Sequence, residues 1–206
     1  KYHSIEPRAA INFRLCDKAS LKVSYTEMSQ FMHQLSATYL NLPTDYWVPS
    51  TARITPMKAR QYAAGVYTRL PYNIRWSVEG FYKTMDNLIE YDGNSGMLNP
   101  MADRWEEEVR TGKGKAYGME TDICYSNGKT SVDASYTLSW SKRFFPDFHS
   151  SWYPDKFDNR HRFSVNISHK FNERIDVYAS WNYHSGNRMT IPTQQVDAPV
   201  IPGVEK

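Results

Sequence analysis

The sequence has no long hydrophobic run, few cysteines and almost no excess charge of either sign. No stretch approaches the ~20 consecutive apolar residues of a transmembrane helix, which excludes helical spans but not strands that cross a membrane half apolar. The two cysteines, Cys16 and Cys124, make no metal or redox pattern. They read as buried or lumenal thiols; each lies near a short turn, so a disulfide stays open, but spacing does not assign a pairing. The histidines His3, His33, His149, His161, His169 and His184 show no metal-ligand spacing. With 25 Lys+Arg against 22 Asp+Glu, a formal charge of +3 and no basic block, a nucleic-acid footprint is unsupported. Gly112-Lys113-Gly114 lacks the spacing of a phosphate loop, and Asp92-Gly93-Asn94-Ser95-Gly96 is too short for a calcium loop. The sequon Asn166-Ile167-Ser168 lies inside a strand pattern and reads as chance.

What is present is a chain of 206 residues, 40% apolar, 15% aromatic and 23% charged. That is enough for one domain and is not the composition of a disordered or collagen-like polymer. No leader is visible, and the chain opens on strand-like residues and stops at Val204-Glu205-Lys206 without closing an element. We expect a piece of a longer protein.

Period-2 alternation dominates. In 130–141, Val132, Ala134, Tyr136, Leu138 and Trp140 share one face, while Ser131, Asp133, Ser135, Thr137 and Ser139 share the other. The pattern predicts eight strands, at 5–15, 21–25, 62–70, 74–82, 117–125, 130–141, 163–171 and 175–183, and no helix of useful length. Short turns at 16–20, 71–73, 127–128 and 172–173 alternate with long connections at about 35–57, 92–112, 142–159 and from 186 onward. Asn127-Gly128 is the strongest short hairpin signal, because both residues tolerate positive φ. Most prolines (Pro43, Pro49, Pro56, Pro100, Pro146, Pro154, Pro192, Pro199 and Pro202) fall in the long connections. Short turns at one end and long loops at the other are the layout of an outer-membrane barrel. The expected topology is an antiparallel meander in which 130–141 pairs with both 116–126 and 161–171.

Alternation alone does not decide between a soluble barrel with an apolar inside and a membrane barrel with an apolar outside. Across the six clearest strands the apolar face carries no Asp, Glu, Lys or Arg, although 23% of the chain is charged. An Arg or Lys facing lipid at mid-depth costs roughly 2–4 kcal/mol, which accounts for such exclusion; a soluble core excludes charge as well. Aromatic placement adds to the membrane reading. Tyr117 and Tyr125 bracket one strand, Phe163 and Phe171 another, and Trp140, Trp181 and Tyr183 end two more on the long-loop side, as amphipathic rings do at the two water–lipid boundaries. Strands of roughly 9–11 residues match a tilted crossing.

Particular segments then become recognisable. Leu42-Pro43-Thr44-Asp45-Tyr46-Trp47-Val48-Pro49, Gln61-Tyr62-Ala63-Ala64-Gly65 and the run from Ser77-Val78-Glu79-Gly80-Phe81-Tyr82 to Asn87-Leu88-Ile89-Glu90-Tyr91 resemble the TonB-dependent outer-membrane receptors. Gly112 to Glu120, Tyr136-Thr137-Leu138-Ser139-Trp140-Ser141-Lys142, Phe157-Asp158-Asn159-Arg160-His161 and Gly186-Asn187-Arg188-Met189-Thr190-Ile191-Pro192 continue the series in order. The resemblance covers the later part of the barrel only. It implies a 22-stranded barrel closed by an N-terminal plug, ligand capture at the cell surface and import energised by the TonB complex through that plug, in the outer membrane of a Gram-negative bacterium. It implies outer-membrane lipid and a small nutrient ligand (siderophore, haem, vitamin, peptide or glycan) as partners, admits a surface lipoprotein, and calls for no nucleic acid and no resident cofactor. The plug, its coupling box and the family's aromatic C-terminal residue are not in this sequence.

In that reading Arg75, Glu79, Glu120, Asp122, Asp133, Arg162 and Asp176 line the lumen, as a ligand path or as a hydrated, paired wall. The loop aromatics Tyr46, Trp47, Trp105, Trp152 and Tyr153, together with Tyr39, Phe144, Phe145 and Phe157, are candidates to stack on a ligand or to pack the loops on one another. Two other classes stay open. A barrel enzyme needs a nucleophile and base; Asp155, Asp158 and His161 are near in sequence, but no G-x-S-x-G frames a nucleophile. A soluble, lipocalin-like ligand-binding barrel would be soluble without detergent and refold from these residues alone; a self-closed eight-stranded barrel would join strands 5–15 and 175–183. We expect no such ladder, because an eight-stranded interior is just filled by side chains and the polar faces carry many charges.

Overall fold

The computed structural model describes residues 2–35, 46–91 and 105–187. The elements are β1 (Arg8–Cys16), β2 (Ala19–Gln30), β3 (Met32–Leu35), β4 (Tyr46–Pro49), β5 (Met57–Leu70), β6 (Ile74–Tyr91), β7 (Val109–Ser126), β8 (Thr130–Phe144), β9 (Tyr153–Pro154), β10 (His161–Asn172) and β11 (Ile175–His184), with a single 3-10 turn at Trp105–Glu107. One sheet runs β1-β2-β5-β6-β7-β8-β10-β11, every pairing antiparallel, with β9 added on β8; β3 and β4 form a separate hairpin. The eight-strand meander is therefore present. β8 pairs with both β7 and β10 as expected. Among the described residues no ladder joins β1 to β11, so the sheet is an open wall and not a self-closed barrel.

The short turns form for local reasons. At 71–73, the three residues between the paired Leu70 and Ile74, Tyr72 and Asn73 both take positive φ (64° and 57°), which reverses the chain tightly. Gly128 sits at φ 86°, and the Asn127 carboxamide oxygen accepts the Thr130 and Lys129 amides at 2.7 and 3.1 Å. Asn172 does the same for the Arg174 amide at 2.9 Å. The long connections behave differently from expectation. β6 and β7 have 18 residues each and β8 has 15, well past the alternating spans that mark them in sequence. One side of the projecting β6–β7 hairpin is covered by other segments, and the residues that meet that cover include Gly112 and Gly114 beside Val109 and Ile89, so no simple apolar/polar alternation marks it. At Asn87, with φ 60°, a bulge between Asp86 and Leu88 also resets the register. Conversely Ile5 and Pro7 lie before β1, which begins at Arg8.

A small satellite core sits at the loop end. Leu35 on β3, Val48 on β4, Ile54 and Val109 are buried together, with Ile89 and Trp105 packed against them. This docks the β3–β4 hairpin onto the projecting β6–β7 hairpin. Most of the sheet has no such cover: Ile11, Phe13, Trp76 and Trp181 are large and exposed. Cys16 and Cys124 are both free thiols, which closes the disulfide question.

Candidate functional site

Register converts the alternating strands into rows. One face carries the cross-strand row Ala9–Tyr25–Tyr62–Tyr82–Tyr117–Trp140. Its rings pair in two groups: Tyr25 to Tyr62 at 5.0 Å, and Tyr82 to Tyr117 at 6.3 Å with Tyr117 to Trp140 at 5.5 Å between centroids. Toward the short turns the same face continues through rows such as Thr68–Trp76–Ile123–Ala134–Val165–Trp181 and Leu70–Ile74–Tyr125–Val132–Ile167–Ala179. Neither holds Asp, Glu, Lys or Arg. From Tyr82 to Ile74, or Tyr117 to Tyr125, is nine residues counted inclusively, within the ~9–11 residues of a tilted membrane-crossing strand. Two residues beyond the aromatic row the face turns charged, at Glu27, Arg60, Lys115 and Lys142.

The opposite face gathers the charged residues singled out in sequence. Arg75, Glu79, Glu120, Asp122, Asp133, Arg162 and Asp176 all fall on it by alternation. Glu79 stands directly across from Glu120, and Arg75, Cys124, Asp133, Asn166 and Ser180 form one row. The Tyr67 hydroxyl donates to Glu79 Oε2 at 2.7 Å, and the Tyr178 and Ser180 hydroxyls donate to Asn166 Oδ1 at 2.9 and 2.8 Å. The wall is thus hydrogen-bonded across strands. Gly118 belongs to this face too; a Cβ there would collide with the backbone of β8.

The loop aromatics do not converge on one point. Trp152 packs tilted on Phe144 at 5.6 Å with the Lys115 ammonium 4.1 Å over its ring, and Tyr153 meets His149 edge-on at 4.6 Å while its hydroxyl donates to Glu90 at 3.2 Å. Trp105 instead packs on the satellite core, and Trp47, on β4 opposite Gln34, is 55% exposed. Tyr46 is placed by its backbone in β4, so the pair Tyr46-Trp47 belongs to a strand rather than to an irregular loop. Tyr39, 42–45, 92–96 and 188–206 lie outside the described residues.

Sequence reasoning missed what orders the 145–160 connection. Asp158, 4% exposed, accepts the Ser141 amide at Oδ1 (2.8 Å) and holds Arg160 Nη2 at Oδ2 (3.0 Å), and the Arg160 guanidinium lies 4.9 Å over Trp140. Asp155 holds Arg143 Nε at 2.9 Å, and Arg143 also reaches Glu90 at 3.8 Å. The residues weighed as an acid–base set are therefore spoken for, since His161 Nδ1 bonds the Tyr136 hydroxyl at 2.9 Å. The signal present in the sequence is Phe157-Asp158-Asn159-Arg160-His161, which holds both the carboxylate and its arginine. His33 was the other omission. It is fully buried, with Nε2 3.0 Å from Ser50 Oγ and Nδ1 unpartnered among the described residues, and burial holds its pKa below the ordinary value. Among the described residues no cluster of His, Cys, Asp and Glu has the makings of a metal site.

An open antiparallel wall with a charge-free face, an aromatic row at the band's edge, tight turns at one end and projecting hairpins at the other is part of a transmembrane β-barrel. The chain belongs to the family described as TonB dependent receptor-like, beta-barrel, which matches residues 1–203. Membership makes it an outer-membrane receptor barrel of a transport family. No curated protein matches it.

Proposed function

We propose that this chain is the later wall of a wider barrel that captures a nutrient ligand at the surface of a Gram-negative cell and admits it by TonB-energised import, with plug and coupling segment outside these residues. The charge-free face with its aromatic row carries the reading. Trp76, Val132, Leu138, Val165, Val177 and Trp181 face lipid, and the wall bearing Arg75, Glu79, Glu120, Asp122, Asp133, Arg162 and Asp176 faces the lumen and the plug. The β3–β4 hairpin and the 145–160 connection form the surface side, where Trp47 and Trp152 are the exposed rings that meet a siderophore, haem, vitamin, peptide or glycan. β1 and β11 pair with the remaining strands of the barrel, since unpaired backbone groups find no partner in lipid.

The test is a pair of adjacent substitutions in the full-length receptor. Val165→Arg puts a charge mid-band at a cost of about 2–4 kcal/mol and lowers the amount assembled in the membrane. Asn166→Arg puts the same charge on the wet wall and leaves assembly intact. The reverse order would show the apolar face to be the inside of a soluble barrel.

A further inference from the structure

Beyond the aromatic row the ladders set two charged rows on the apolar face: Glu27–Arg60–Thr84–Lys115–Lys142, then Ser29–Lys58–Asp86–Lys113–Phe144. Arg60 takes both carboxylates, with Nε 3.5 Å from Glu27 and Nη1 3.7 Å from Asp86. Toward β7 and β8 that leaves Lys113, Lys115 and Lys142, none of them in an ion pair within 4 Å among the described residues. Lys115 and Lys142 stand directly opposite each other, an arrangement that destabilises a sheet unless an anion sits between. Trp152 answers only the Lys115 charge.

Immediately below, on the same face, is an open groove of about 800 Å³, bounded by the aromatic row on one side and by Val23, Met119 and Leu138 on the other, with Ala64 and Gly80 in its floor. Its lining is almost wholly apolar. Gly80 is not forced by the backbone: a Cβ there would meet only the carbonyl oxygens of Gly118 and Ala64, at the ordinary distances of 3.9 and 4.0 Å. Glycine at that position leaves space in the groove. Cations above an apolar slot, with tyrosine hydroxyls and a tryptophan at the boundary, complement a molecule with an anionic head and a hydrocarbon tail.

We infer that this face seats a phosphorylated lipid of the surface leaflet, its phosphate among Lys113, Lys115 and Lys142 and an acyl chain laid over Gly80. The inference rests on the outward, lipid-facing reading of the apolar face.

The full-length receptor, delipidated in detergent, is titrated with dimyristoyl phosphatidic acid, with the phosphatidylcholine of the same chains and with inorganic phosphate, and binding is read by native mass spectrometry. Phosphatidic acid binds saturably. Lys113→Glu with Lys142→Glu weakens it about tenfold or more, and so does Gly80→Leu, which fills the slot from the outside; Lys142→Gln, a milder change, weakens it less. Unchanged binding in these variants, or phosphatidylcholine binding as tightly, overturns the inference. Saturable inorganic phosphate with no effect of Gly80→Leu would mean a free-anion site and overturns the seating of a lipid chain. A fluorophore at Val165→Cys, in a background lacking Cys16 and Cys124, separates the two readings. No quenching by a lipid-phase quencher would defeat the face assignment itself, whereas quenching with lipid binding indifferent to the variants would defeat only this inference.

Discussion

Removing the Asp158 carboxylate probes how the 145–160 connection is held without touching the membrane band. Asp158→Ala strips the acceptor from the Ser141 amide, worth about 1–3 kcal/mol when the donor stays buried. It also takes a carboxylate from Arg160, which lies over Trp140. A fully buried pair broken on one side costs about 3–5 kcal/mol. The Arg160 side chain is 31% exposed, however, so water recovers most of that and about 1 kcal/mol remains. The total, about 2–4 kcal/mol, stays local, because β8 keeps its ladders to β7 and β10. At 1.36 kcal/mol per tenfold, amides across 145–160 exchange with solvent roughly 30-fold to several-hundred-fold faster in the full-length receptor, read by hydrogen-exchange mass spectrometry. Asp158→Asn keeps an oxygen for the Ser141 amide but loses the charge and the acceptor that face the partly exposed Arg160, so its increase stays near tenfold or below. Unchanged exchange in Asp158→Ala, or an equal rise throughout β10 and β11, would refute the local-latch reasoning.

Two other outcomes follow from buried groups at the loop end. His33 is buried and its pKa is depressed below about 6.5, so the docked β3–β4 hairpin binds its proton less well than the opened one; docking is complete above that pH and weakens as the pH falls through it. Exchange of β3 and β4 amides, corrected for intrinsic rates, rises at pH 5 over pH 7.5, and His33→Phe abolishes the difference; a pH response that survives this substitution would assign it elsewhere. Gly112→Ala drives a methyl to 2.6 Å from the ring of the fully buried Phe145, an overpacking cost of about 1–3 kcal/mol that lowers the urea midpoint of the folded barrel, whereas Gly80→Ala, with open space before it, leaves the midpoint where it is.

The sequence by itself determined the band. Each residue of 74–82, 117–125 or 163–171 meets either hydrocarbon or water, and that local difference writes the period of two, the excluded charges and the aromatic ends into the chain one residue at a time. The hairpins at Asn127-Gly128 and Asn172-Glu173 were legible for the same local reason, since turn geometry is satisfied by the turn residues themselves. Tertiary structure alone decided the rest. The outer halves of β6 and β7 are covered on one side through glycines as well as Ile89 and Val109, so no clean alternation announces them, and the bulge at Asn87 shifts what pattern there is. Whether Asp158 finds Ser141, whether Trp105 joins Leu35 and Val48, and whether Lys115 faces Lys142 depend on which strands become neighbours and in what register. Those contacts join residues distant in the chain, and only the closed hydrogen-bond ladders bring them side by side.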